Sequence, residues 1–290
     1  VNNMQPELYI GTAGWSYKDW IGSFYEAEQS KNYDWLQFYS DYFNCVEVNS
    51  SYYVYINPNT VDGWIEKVDH KDDFLFTVKL HQDFTHKKNF NSNQERAVKL
   101  VLDKLSAFER FGGLLIQFPY SFQATEANIQ YLGKLVKLFD EYDKFVEVRH
   151  LSWNEKRAKQ ITFCTIDQPS IGESIEFIPK ISNGKLYARF HGRNKEAWLD
   201  SIKNFGKKQS YQEQNERYNY LYSPGEIINI AMTVMEVLDS VRKVFLIMNN
   251  HPNGNAVANA FELMNALLKA QIKIPQTTLQ SFPRLKRMSV

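Results

Sequence analysis

Ionisable and amide side chains recur in this sequence at the ends of short apolar runs. They read Glu47-Val48-Asn49, Thr77-Val78-Lys79, Gln117, Glu147-Val148-Arg149, Thr165-Ile166-Asp167, Arg189-Phe190-His191 and Asn249-Asn250-His251. These types suit acid–base chemistry on an anion. Glu47, Glu147 or Asp167 would serve as general base and His191 or His251 as general acid, because carboxylate and imidazole can be tuned to exchange protons near neutrality. Lys79, Arg149, Arg189 and Arg193 would hold phosphate or carboxylate oxygens, arginine through its planar bidentate fork. Asn49, Gln117 and Asn249 would orient a substrate by hydrogen bonds.

The two-residue spacing matters because alternate residues of a strand share a face. Val46, Val48, Phe76, Val78, Ile116, Val146 and Val148 then point one way, and the polar set points the other. Such a face is unfavourable in a core unless its charges are paired or functional. A structural alternative therefore stands beside the catalytic one: Glu147, Arg149 and Arg189 as a buried ion-pair network holding neighbouring strands.

Seven strands carry this set, and with one more before them eight apolar, β-branched runs are present. They are Leu8–Gly11, Cys45–Asn49, Phe74–Lys79, Leu114–Phe118, Phe145–Arg149, Ile161–Ile166, Leu186–Phe190 and Val244–Met248. Helical patterns alternate with them, which predicts parallel βαβ units closing into one (β/α)8 TIM barrel over residues 1–290. In that fold catalytic groups gather at the carboxyl ends of the strands, where the polar residues lie.

Helix starts are marked by Asn57-Pro58, by capping boxes at Ser92–Glu95 and Ser152–Glu155, and by Ser223-Pro224-Gly225-Glu226. The longest irregular stretch, 191–223, reads as an insertion or lid loop with a short helix around Lys195–Phe205. Trp15, Tyr17, Trp20, Tyr52 and Tyr53 fall near the mouth, where rings stack on a base or sugar or else cap the barrel; Trp20 and Tyr53 read as packing. Of the remaining histidines, His70 reads as a surface residue and His86, more than His81, as a mouth residue. His150 either faces the following helix or turns into the mouth.

With 34 Lys+Arg against 33 Asp+Glu, the net charge of +1 provides no global field for nucleic acid or anionic lipid. Cys45 and Cys164 each lie in an apolar run and read as small buried hydrophobes, consistent with a reducing cytoplasm. No apolar stretch approaches a membrane span, so a cytoplasmic, non-membrane protein is expected. The phosphate loop, dinucleotide fingerprint and nucleophile elbow are all missing.

The glycine-rich run Gly11-Thr12-Ala13-Gly14-Trp15-Ser16-Tyr17, followed by Trp20, Gly22, Phe24 and Tyr25, resembles the opening of the YecE-like proteins, also called domain of unknown function 72. Further along, Glu47 to Tyr53, Lys79 with Thr85-His86, and Gln117-Phe118-Pro119 match its motifs. So do Glu147-Val148-Arg149-His150 with Ser152-Trp153, Asp167 with Pro169, Arg189 to Arg193, and Asn249-Asn250-His251. Departures are small: Ala13, Tyr120 and Leu151 replace residues more usual there, and none removes an ionisable group. The resemblance implies a TIM barrel with a strand-end pocket and supplies no reaction.

Three functions fit these observations. The first is an enzyme acting on a small anionic substrate through the residues above. The second is a divalent-metal-dependent phosphodiesterase, not favoured because several cations would compete with the metal for the carboxylates. The third is a non-catalytic module that captures an anionic metabolite or a nucleic-acid end.

Overall fold

The computed structural model describes residues 5–154, 161–204, 207 and 210–290. Its strands are β1 (Glu7–Ala13), β2 (Cys45–Val48), β3 (Leu75–Lys79), β4 (Phe111–Gln117), β5 (Lys144–Glu147), β6 (Thr162–Phe163), β7 (Thr165–Asp167), β8 (Lys185–Phe190) and β9 (Lys243–Met248). All pair in parallel in the order β6-β5-β4-β3-β2-β1-β9-β8-β7. This is an α/β barrel, nearly closed.

The expected eight strands become nine segments because the sixth is interrupted at Cys164. Its first part pairs with β5 and its second with β8, so one strand position serves both edges in succession. Strand ends also move. β5 stops at Glu147, which leaves Arg149 in the loop beyond it, and β4 begins earlier, at Phe111.

The barrel interior is layered. Toward the amino-terminal end Tyr9, Phe145, Tyr187 and Phe245 pack as an aromatic plug, with Phe145 and Tyr187 centroids 4.4 Å apart and Tyr9 stacked on Phe245 at 4.9 Å. Gly113, at φ +146°, makes room for it: a Cβ there would sit 2.4 Å from the Phe145 ring. Above the plug lie the charged residues.

Outside the sheet, Asn57 caps the Pro58–Lys67 helix and Ser223 closes a capping box with Glu226, as expected. The box expected from Ser92 is displaced by one residue. Asn91 is the cap, paired with Gln94, because its carboxamide also accepts N–H bonds and it precedes Ser92. The box expected at Ser152 would close on Glu155, outside the described residues; Ser152 itself accepts from the Ala124 N–H. Both cysteines are buried and free. Among the described residues, no helix is long and apolar enough to cross a membrane.

Candidate functional site

Glu47, on β2, faces the axis and is fully buried. Its carboxylate accepts from Tyr187 Oη at 2.8 Å, Arg189 Nε at 2.9 Å and Arg189 Nη2 at 2.7 Å. Tyr187 is joined in turn to Thr77 at 2.8 Å. Glu147, at the end of β5, is equally buried. Its Oε1 accepts from Arg149 Nε and lies 2.8 Å from Arg149 Nη2, while Oε2 accepts from Arg189 Nη1. Two carboxylates and two guanidinium groups thus form one continuous layer. Burial alone would raise the Glu147 pKa, yet Arg189, with Arg149, holds it well below the usual carboxylate range.

His191, beyond β8, lies directly over this layer. Its Nδ1 is 2.9 Å from Asn249 Nδ2, which as donor leaves the proton on Nε2. That Nε2 is 3.3 Å from Glu147 Oε2 but outside hydrogen-bonding alignment. Burial is the largest cause pushing the imidazole down to about 3; Arg149 and Arg189 oppose the pull of Glu147. His251 is pushed down to about 4 by burial, stacks on Tyr17 at 4.5 Å, and its carbonyl accepts from Trp20 Nε1. In both rings burial disfavours the imidazolium that the expected general-acid role would use.

Arginine or tyrosine occupies each carboxylate oxygen of Glu47 and Glu147. The geometry matches the ion-pair alternative. Asp167 stands apart from this layer: it accepts from Arg193 Nη2 at 2.7 Å and Tyr222 Oη at 2.5 Å, and Arg193 also reaches Glu226 at 3.0 Å. Arg193 therefore ties the start of the 191–223 segment to β7. Gln117 donates to the neighbouring Phe118 carbonyl, and Asn49 Oδ1 is buried without a partner among the described residues.

The rim supplies cations. Lys79, at the end of β3, places its ammonium 4.3 Å from the Tyr52 ring centroid and forms no salt bridge among the described residues. Burial, then Arg189, pushes it down to about 7 against the pull of Glu47 and Glu147. Over the mouth the 191–223 segment folds back Trp198, Arg217 and Tyr218, none of which was singled out from the sequence. Arg217 lies 4.8 Å from the Tyr218 ring and 5.4 Å from the Trp198 ring, which Arg149 approaches at 5.3 Å. Despite burial, Arg217, Arg149 and Arg189 lower the Tyr218 phenol pKa. Trp198 Nε1 and Arg217 Nε are buried without an acceptor among the described residues.

The other aromatics divide. Trp20 is buried packing, as expected, but Tyr53 is 68% exposed, the barrel offering it no cover. Trp15 meets Trp64 edge-on, and Tyr17 donates to the Ala13 carbonyl at 2.6 Å. His70 pairs with Asp41 at the surface and His86 meets Tyr52 on the rim. His150 turns away from the mouth to Ser152 and Glu173. Among the described residues no group of three or more His, Cys, Asp or Glu side chains could hold a metal ion.

Fold and site together define an α/β-barrel protein with a charge-paired floor beneath a cationic mouth. The chain belongs to the family described as Protein of unknown function DUF72, whose model matches residues 9–284. It is 28% identical over 280 residues to UPF0759 protein YunF of Bacillus subtilis, spanning 90% of this chain and 94% of that one. It is 26% identical over 155 residues to UPF0759 protein YecE of Escherichia coli, 53% of each chain. A DUF72 family protein of Thermotoga maritima superposes with a TM-score of 0.76 at 27% identity, covering 90% of this chain and 99% of that one.

Proposed function

We propose that the barrel mouth is an active site for a small phosphate- or carboxylate-bearing substrate. The observation that carries this is the balance of charge. Arg149 and Arg189 neutralise Glu47 and Glu147 in the floor. Lys79 and Arg217 stand above them with no carboxylate in salt-bridge contact among the described residues.

Beside these cations are N–H groups of Trp198 and Arg217 that lack acceptors among the described residues. Buried donors left unpaired are unfavourable, and an anion would satisfy several together. Arg217, with Trp198 and the side of Arg149 turned away from Glu147, would hold the anion. Lys79, its pKa lowered by burial and then by Arg189, and Tyr218, its pKa lowered by Arg217 despite burial, would exchange protons with the substrate. The floor acts as scaffold: it fixes Arg149 and, through Glu147 and Asn249, the setting of His191.

Calorimetric titration with inorganic phosphate and pyrophosphate tests the binding half. Saturable binding is expected, weakened about tenfold or more in Arg217→Gln through loss of charge-assisted hydrogen bonds. Absence of binding by both anions at low salt would refute it. For catalysis, a bound metabolite that Lys79→Met still binds but no longer converts supports an enzyme. A bound metabolite that the wild type never converts supports the capture module instead.

A further inference from the structure

We propose that Lys79 is an amine nucleophile that condenses with the carbonyl carbon of an anionic aldehyde or keto substrate. The substrate's charge rests on the anion-binding reading above; the nucleophile rests on the setting of Lys79 itself.

Lys79 ends β3 with its side chain among groups from four other elements. Glu47 approaches from β2, Glu147 and Arg149 from β5 and the loop after it, Arg189 from β8, and Tyr52 from the Ser50–Tyr52 turn. His86 lies on the rim beside Tyr52. Both glutamates are committed to arginine, so they attract Lys79 from a distance without pairing with it. The ammonium therefore lies over the Tyr52 ring, half-buried, above a layer whose carboxylates are already taken by Arg149 and Arg189. Desolvation together with neighbouring cations is what converts a lysine into a free amine at neutral pH. A lysine meant only to hold an anion would need to keep its proton, and the arginines already present do that permanently.

The step balances without an oxidant. The amine lone pair forms a C–N bond to the carbonyl carbon, giving a carbinolamine after proton transfer from nitrogen to oxygen. The C–O bond then breaks, and the oxygen leaves as water carrying both original amine protons. A proton from solvent makes the resulting imine an iminium.

The test treats the full chain with glyceraldehyde or with glyceraldehyde 3-phosphate at pH 7 in the presence of cyanoborohydride, followed by peptide mapping. Lys79 should be alkylated about tenfold or more faster than exposed lysines, because far more of it is unprotonated, although a weaker base attacks somewhat more slowly. The phosphorylated probe should react faster, and inorganic phosphate should slow it. Fast labelling by both probes with no advantage from the phosphate group would uphold the nucleophile and defeat the anion reading. Labelling of Lys79 no faster than that of exposed lysines, with phosphate binding intact, would overturn the nucleophile and leave the anion reading standing.

Discussion

Arg189 is held by two carboxylates that come from β2 and β5 and is itself fully buried. Such an arrangement adds little net stability compared with apolar packing, but removing one partner leaves the others uncompensated. Arg189→Met strands Glu47 and Glu147 together. It should lower the unfolding free energy by about 3–5 kcal/mol in urea titration. A loss under about 1 kcal/mol would show that the layer does not hold the strands. At this scale the two-residue rule worked well. It put Glu47, Glu147 and Arg189 on the inner face because strand parity is a rigid geometric constraint, and it carried past the strand ends to Arg149 and His191. The same rule reaches Tyr187, two residues before Arg189, but assigning aromatics to packing concealed its hydroxyl bond to Glu47. The roles of the histidines were not legible, since a pKa depends on burial and neighbours that spacing does not reveal.

Among the elements, β3 carries a lysine in a position that a folding protein would fill better with an apolar residue. The folded-state pKa of about 7 lies below the unfolded value near 10.4, so the native protein binds the proton less well. Lys79 is therefore an unfavourable contribution below pH 7 that is relieved as pH rises toward 10. Lys79→Met should raise stability by about 1–3 kcal/mol at pH 7, with the gain shrinking at pH 9–10. Thermal melts at the two pH values check this, and a variant less stable at both would contradict it. The eight strand positions were readable from apolar runs. The interruption at Cys164 was not, since Ile161–Ile166 is an unbroken run of strand-forming residues and pairing is decided across the barrel. The 191–223 segment was placed over the mouth and its helix was expected, yet Trp198 on that helix and Arg217 and Tyr218 on a single 3-10 turn went unnoticed, because the period of so short an element does not show which face meets the barrel.

For the molecule as a whole, His191 and His251 are buried neutral, with pKa values of about 3 and 4 against about 6.5 in the unfolded chain. Between those values the unfolded chain binds more protons, so stability falls as pH decreases from about 6.5. Glu147, held low, adds its own loss further into acid. The unfolding free energy should be at least about 2 kcal/mol lower at pH 5 than at pH 7, and His191→Asn should flatten the slope. A flat profile would mean that the rings are solvated. The central claim is that the cationic rim over the paired floor receives an anion. It is tested most directly by following the Trp198 indole N–H resonance during phosphate titration in ¹H–¹⁵N spectra, assigned through Trp198→Phe. A saturable downfield shift, absent in Arg217→Gln, is predicted. Phosphate binding that leaves this resonance unmoved would contradict the account.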